Sequence, residues 1–175
     1  DVLKPRFVGG HPLAGSEKAG AHSANSSLFK DASWVLCKNE FSTDAACRLV
    51  ECMVLNTGAE TVWCAADIHD EWMSAISHLP HILAYSLADS AHRIIPPNLR
   101  HISGGSFRDG SRVSDSNPEL WTGILLANRT NCSSAIARCS EWLRRLQQAL
   151  DSSDEQAVHE LLSRAHRAKR EFLEL

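Results

Sequence analysis

Apolar positions along this chain change their spacing once. Near the start they fall in short blocks. Arg6-Phe7-Val8-Gly9-Gly10 predicts a short strand running into a glycine turn, and Ser33-Trp34-Val35-Leu36-Cys37 predicts a second strand. Between Asp44 and Asn56 the residues Ala45, Cys47, Leu49, Val50, Met53 and Val54 recur at helical spacing, and Asn56-Thr57-Gly58 stops that helix. Glu60 to Cys64 predicts a third strand. Strand, helix, strand is the order of an α/β sheet, but the segment is too short to form a whole doubly wound domain.

From Asp67 onward the spacing is helical. Trp72, Ile76, Leu79, Leu83 and Leu87 form one stripe. Pro80 lies inside it, so a kink or break is expected there, and Pro96-Pro97 ends the helix. Residues 101–112 are glycine-rich and polar and predict a loop. Ser116-x-x-Glu119 is a capping box with Pro118 in the first turn, opening a helix with Leu120, Trp121, Ile124 and Leu125. A longer helix is expected from Ser133 to Leu150, with Ile136, Cys139, Leu143, Leu146 and Leu150 in steps of three and four. Ser152-x-x-Glu155 is a second capping box, starting a last helix with Val158, Leu161, Leu162, Ala165 and Phe172 on one face. The pattern allows these two helices to close an intrachain core or to form a dimer interface.

Composition narrows the function classes. Apolar residues make up 43% and charged residues 22% of the 175, which is the range of a folded globular chain. The net charge of −3 argues against a nucleic-acid binder. No apolar run reaches the roughly 18–20 residues of a membrane span. The longest, Leu79 to Leu87, is interrupted by Pro80, His81 and Tyr85. Asp1-Val2-Leu3-Lys4-Pro5 has no signal-peptide character, so a soluble, cytoplasmic protein is expected. The six cysteines include no Cys-x-x-Cys pair and are expected to be buried, reduced thiols.

Nine histidines invite a search for chemistry. His69, His78 and His81, with Asp67 and Asp70 nearby, suggest a metal site. On a straight helix, however, His69 and His78 face opposite ways, and His69 and His81 lie about 18 Å apart along the axis. Two ligands are too few for zinc, so no metal is expected. His11 follows the first predicted strand, and ligands of open α/β sheets bind at strand ends. It is the candidate general base. Arg108, Asp109 and Arg112 lie in one run, and arginine forks suit a dianionic substrate. A solvated loop with a local ion pair is the plainer reading of that run.

Three segments together resemble a known family. Gly10-His11-Pro12-Leu13-Ala14-Gly15-Ser16-Glu17-Lys18-Ala19-Gly20 resembles the His-Pro-x-x-Gly-x-Glu segment of prephenate and arogenate dehydrogenases. His69-Asp70 with Ser77-His78-Leu79-Pro80-His81 resembles a helix of that family. Gly104 to Arg112, with Asn117-Pro118-Glu119-Leu120-Trp121 and Asn128, resembles its Gly-Phe-Arg-Asp-x-x-Arg and Pro-x-x-Trp segment.

The resemblance implies an α+β, mostly α fold. Residues 1–66 would be the C-terminal remnant of a Rossmann-type nucleotide-binding domain, and residues 67–175 a helical substrate-binding and dimerisation domain. It implies a tyrosine-biosynthesis oxidoreductase: prephenate or arogenate loses a hydride to NAD or NADP and its ring carboxylate as carbon dioxide. His11 matches the catalytic histidine. Arg112 matches the arginine on a substrate carboxylate, and His81 the histidine facing the substrate side chain, where tyrosine feedback is also felt. Gly105 and Trp121 fall in the substrate segment, and Glu17, His69, Arg108 and Asp109 in a surrounding polar network. A homodimer is expected.

The family's Gly-x-Gly-x-x-Gly turn and the serine that orients its catalytic histidine are absent from these residues. Cys37-Lys38 stands where the family often has Thr-Pro. The fragment alone is therefore expected to bind NAD(P) poorly and to turn over little. The alternative is a non-catalytic module of the same fold that binds tyrosine or a related aromatic acid.

Overall fold

A computed structural model describes residues 7–14, 22 and 24–173. Its sheet has the strand order β1 (Gly9–Pro12), β2 (Ser33–Cys37), β3 (Glu60–Cys64). β2 and β3 are parallel, with Cys37 opposite Cys64, and α1 (Asp44–Leu55) connects them. β1 is antiparallel to β2 and sets His11 opposite Val35. The first strand thus lies further along the chain than its apolar block suggests, and His11 sits within it rather than after it. Gly10 explains the pairing. A Cβ there would stand 2.5 Å from the Val35 carbonyl oxygen and 2.8 Å from the Leu36 side chain. Only glycine lets the strands approach this closely.

Leu36, Val54 and Ala59 form the buried core between sheet and α1, with Phe29, Trp34 and Val50 packed against it. Thr43 caps α1 by accepting the Ala46 N–H, and Gly58 turns the chain toward β3 at φ +82°.

Helical winding then runs without interruption through α2 (Ala66–Met73), a π turn (Ser74–His78) and α3 (Leu79–Ile94). The break expected at Pro80 does not occur. Proline removes one N–H and crowds the carbonyl four residues back. The wider π turn immediately before it accommodates both effects.

The predicted loop at 101–112 is also corrected. It contains α4 (Gly105–Ser111), flanked by 3₁₀ turns at Pro97–Ile102 and Arg112–Asp115. A Cβ on Gly110 would meet the Leu87 side chain at 3.2 Å. α4 therefore lies against α3, and this packing outweighs its poor helix propensity. α5 (Pro118–Ala127) is capped by Asn117, which accepts the Glu119 N–H, and not by Ser116. The Ser116 carbonyl instead accepts the Tyr85 hydroxyl at 2.7 Å.

The chain divides into two compact units, 1–131 and 132–175. The second holds most of α6 (Arg129–Asp151) and all of α7 (Glu155–Leu173). Ser153, at φ 53°, ends α6. The Asp154 N–H bonds the Ala149 carbonyl and the Ser153 N–H bonds that of Leu150, the Schellman pattern. Asp154 also caps α7 by accepting the Ala157 N–H, the role expected of Ser152. Ser152 turns its hydroxyl back to the Gln148 and Ala149 carbonyls. Ile136, Leu143 and Leu150 on α6 are exposed, as are Leu162 and Phe172 on α7.

All six cysteines are free. Cys132 is buried, Cys37, Cys47, Cys64 and Cys139 are half-buried and Cys52 is exposed on α1, so the expectation of six buried thiols holds fully at Cys132 alone. Cys37 and Cys64 approach to 4.0 Å between sulfurs, and burial, with Cys64 beside it, pushes the Cys37 thiol up to about 11. Among the described residues no helix is long and apolar enough to cross a membrane.

Candidate active site

The antiparallel β1 carries His11 along the sheet edge toward α2. Its Nε2 lies 2.8 Å from Nε2 of His69, with the rings edge-on at 83°. His69 continues the chain of contacts, its Nδ1 donating to the Asp70 carboxylate at 2.9 Å. On the other side of His11, Nδ1 donates to the Pro12 carbonyl at 3.1 Å. Both imidazoles are half-buried, which limits competition from water.

A second group of rings is linked to the first through Asn128, at the end of α5. Its side-chain amide donates to the Asp70 carbonyl at 2.7 Å and meets His78 Nδ1 at 3.3 Å. His78 is 9% exposed, and its burial lowers its pKa below 6.5. Trp121, also 9% exposed, meets His78 edge-on at 6.1 Å and stacks on His81 at 3.6 Å. The His81 Nδ1–H donates to the Ser77 carbonyl, leaving Nε2 as the free ring nitrogen.

These contacts join His11, His69, His81 and Trp121. They do not reach the α4 segment. Arg108 donates to the Ser103 carbonyl at 3.0 Å. Arg112 opens the 3₁₀ turn after α4, exposed, and its guanidinium bonds no described residue. No ion pair between Arg108 or Arg112 and Asp109 is present among the described residues. Gly105 is the first residue of α4, and a Cβ there would meet nothing within 4 Å. Glu17 lies outside the described residues. The sequence pattern assigned no role to Asp70 or Asn128. Adjacency to His69 is a signal for the first, but nothing local in the sequence ties Asn128 to Asp70.

Among the described residues no group of three or more His, Cys, Asp or Glu side chains could hold a metal ion. The His11–His69 contact is itself a hydrogen bond, because two nitrogens on one zinc would stand about 3.3 Å apart.

The fit to a dinucleotide can be tested at the β2–α1 connection. Pyrophosphate binds where a glycine turn opens onto unsatisfied N–H groups at a helix N-terminus. Residues 38–43 contain no glycine, Thr43 already occupies the Ala46 N–H, and Asp44 adds a negative charge there, paired with Lys38 at 2.9 Å. The β2–α1 connection does not fit the phosphates of a dinucleotide.

Fold and site together define a protein built from the remnant of a Rossmann-type domain and a helical domain, with a histidine pair where the sheet meets α2. Residues 1–63 match the nucleotide-binding domain of prephenate dehydrogenase, and residues 65–164 match its dimerization domain. The chain belongs to the prephenate/arogenate dehydrogenase family. It is 35% identical over 143 residues to the prephenate dehydrogenase of Bacillus subtilis, covering 81% of this chain and 38% of that protein. It is 30% identical to the cyclohexadienyl dehydrogenase of Zymomonas mobilis, covering 93% and 57%. Among solved structures, the prephenate dehydrogenase of Aquifex aeolicus in complex with hydroxyphenyl propionate and NAD+ superposes with a TM-score of 0.89. The identity is 28%, over 98% of this chain and 60% of that one. The chain thus spans between 38% and 57% of these two curated relatives.

Proposed function

We propose that this chain supplies the proton-transfer site and the dimerisation segment of an NAD(P)-dependent prephenate or arogenate dehydrogenase. The reaction would be oxidative decarboxylation of prephenate to 4-hydroxyphenylpyruvate, or of arogenate to tyrosine. The observation that carries this reading is the 2.8 Å contact between His11 and His69. It pairs an imidazole from the segment that matches the nucleotide-binding domain with one from the segment that matches the dimerization domain.

A nicotinamide would take the hydride from C4 of the substrate ring. The β2–α1 connection does not fit its phosphates, so this chain's own part in the reaction is confined to the substrate side. His11 accepts the proton of the C4 hydroxyl, which concentrates electron density at C4 as the hydride departs. His81, held flat by Trp121 and anchored to the Ser77 carbonyl, presents Nε2 to the substrate side chain. Arg112 has no described partner to release before it pairs with a carboxylate. Gly105 and Trp121 are assigned to the substrate through the family motif, and Glu17, His69, Arg108 and Asp109 to the polar surround. Tyrosine, which shares the side chain of arogenate, is the candidate inhibitor at His81.

Ile136, Leu143, Leu150, Leu162 and Phe172 leave apolar surface uncovered in the single chain, and a homodimer would cover it. Sedimentation showing only monomer at tens of micromolar would remove that part of the proposal.

The poor fit of the β2–α1 connection to phosphate also favours a second reading, a binding module for tyrosine or a related acid. One assay separates the two. Prephenate and arogenate are each offered with NAD and NADP, to this chain and to the longest protein that carries it, beside His11→Asn. Cofactor reduction that falls about 10²–10⁴-fold in the variant supports the dehydrogenase. No turnover with any of the four pairs, together with tyrosine binding by calorimetry, supports the module.

A further inference from the structure

The hydrogen bonds around His11 contain more protons than two neutral imidazoles carry. The Pro12 carbonyl can only accept, so His11 Nδ1 bears a proton in that contact. The Asp70 carboxylate can only accept, so His69 Nδ1 bears one too. The 2.8 Å contact between the two Nε2 atoms needs a third proton between them. A neutral imidazole has one ring proton, so two have two. With all three bonds made, the pair carries one extra proton, and the Asp70 carboxylate balances its positive charge.

We propose that Asp70 and His69 are positioning residues for His11, fixing its ring and balancing the charge it acquires when it takes a hydroxyl proton. The proposal rests on the dehydrogenase reading. In the transfer, the His11 Nε2 lone pair turns from His69 to the substrate, the substrate's O–H bond breaks with its electron pair staying on oxygen, and the proton forms an N–H bond at His11 Nε2; the 2.8 Å bond to His69 Nε2 is the state reached once that proton is in place. The transfer neither oxidises nor reduces either imidazole.

The surroundings suit this role. Asp70 is held at its backbone by Asn128 through a 2.7 Å bond to the carbonyl, so its carboxylate stays aimed at His69. The His69 side chain is only 18% exposed, which favours the hydrogen bond over water, whereas the Asp70 side chain is 53% exposed and keeps its charge solvated. An acid that orients one histidine, which in turn orients the base, follows the same logic as a carboxylate that fixes the tautomer of a catalytic imidazole.

The test has a spectroscopic arm and a kinetic arm. The ring nitrogens of His11 and His69 are read by ¹⁵N NMR in the 175-residue chain. The expected result is a protonated Nδ1 on His69, lost to the Nε2–H tautomer in Asp70→Ala and kept in Asp70→Glu. An unprotonated His69 Nδ1 in the parent chain overturns the proposal whether or not the protein is an enzyme.

In the active dehydrogenase, Asp70→Ala and His69→Gln should each lower kcat about 10–100-fold with KM within about twofold, and Asp70→Glu should restore most of it. Unchanged kcat in Asp70→Ala overturns the positioning role. Absence of turnover in the parent with every substrate and cofactor pair defeats the dehydrogenase reading and this role with it. The NMR arm still reports on the hydrogen-bond chain, so the two failures are told apart.

Discussion

His81 lies flat on Trp121, with ring centroids 3.6 Å apart and planes 21° from parallel. The same indole meets His78 edge-on, so one buried aromatic side chain fixes two histidines on successive turns. Burial of the indole and its edge-on contact with His78 both favour this arrangement.

Trp121→Ala should therefore lower stability by about 3–5 kcal/mol, and Trp121→Phe by clearly less. Urea unfolding of the chain measures both. An alanine variant within about 1 kcal/mol of the parent would mean that Trp121 does not organise this region.

Gly10 and Gly9 are adjacent but not equivalent. An alanine at Gly10 drives a methyl to 2.5 Å from a backbone oxygen of β2, whereas at Gly9 the nearest atoms stand at 3.7 Å. Gly10→Ala should cost about 1–3 kcal/mol as an overpacked contact and separate His11 from His69. Gly9→Ala should change little. Equal unfolding midpoints for the two variants would contradict the close approach of β1 to β2.

The chain should lose stability in weak acid because of His78. Its folded pKa lies below 6.5 because of burial, while the unfolded value stays near 6.5. Below 6.5 the unfolded chain binds a proton that the folded chain refuses, so stability falls as pH falls and levels off below the folded pKa. Above about pH 7 the group is neutral in both states and contributes no slope. His78→Gln should flatten the dependence between pH 7.5 and 5.5 in denaturant titrations. The same slope in parent and variant would assign it to other groups.

Ser153 closes α6 in a left-handed conformation at φ 53°. That geometry costs a non-glycine residue about 1–2 kcal/mol, and glycine's extra freedom when unfolded returns about 0.5–1. Ser153→Gly should raise stability by about 0.5–1 kcal/mol, seen as a higher melting temperature. A lower melting temperature would show that the Ser153 side chain makes a compensating contact.

Elements with strong local signals were legible in the sequence. β2, α1 and β3 follow from blocks and periods that end in turn residues, and the last two helices follow from their apolar steps. Local capping rules placed each helix start within a few residues but chose Ser116 and Ser152 where Asn117 and Asp154 do the work. The Ser152 hydroxyl donates to carbonyls of α6 instead, and the Ser116 carbonyl accepts the Tyr85 hydroxyl, so partners in space override the local rule. α4 was not legible, because its glycines and serines favour a loop and only packing on α3 makes it a helix. At the candidate site His11, His69, His81 and Trp121 could be named in advance from motifs. The links through Asp70 and Asn128 could not, since the two residues are 58 positions apart and meet only through the fold.

The π turn at Ser74–His78 sets which way the later histidine points. At about 100° per residue, His69 and His81 would differ by about 120° in rotational phase along an ordinary helix. A π turn absorbs one extra residue without advancing the winding, which brings that difference down to about 20°. The helix from Ala66 to Ile94 thereby directs both imidazoles along a single side, about 16–17 Å apart along the axis. Removing any one residue from 74–78 would convert the π turn into ordinary α-helix with eleven steps between the histidines, and so leave His81 on the side that His69 occupies.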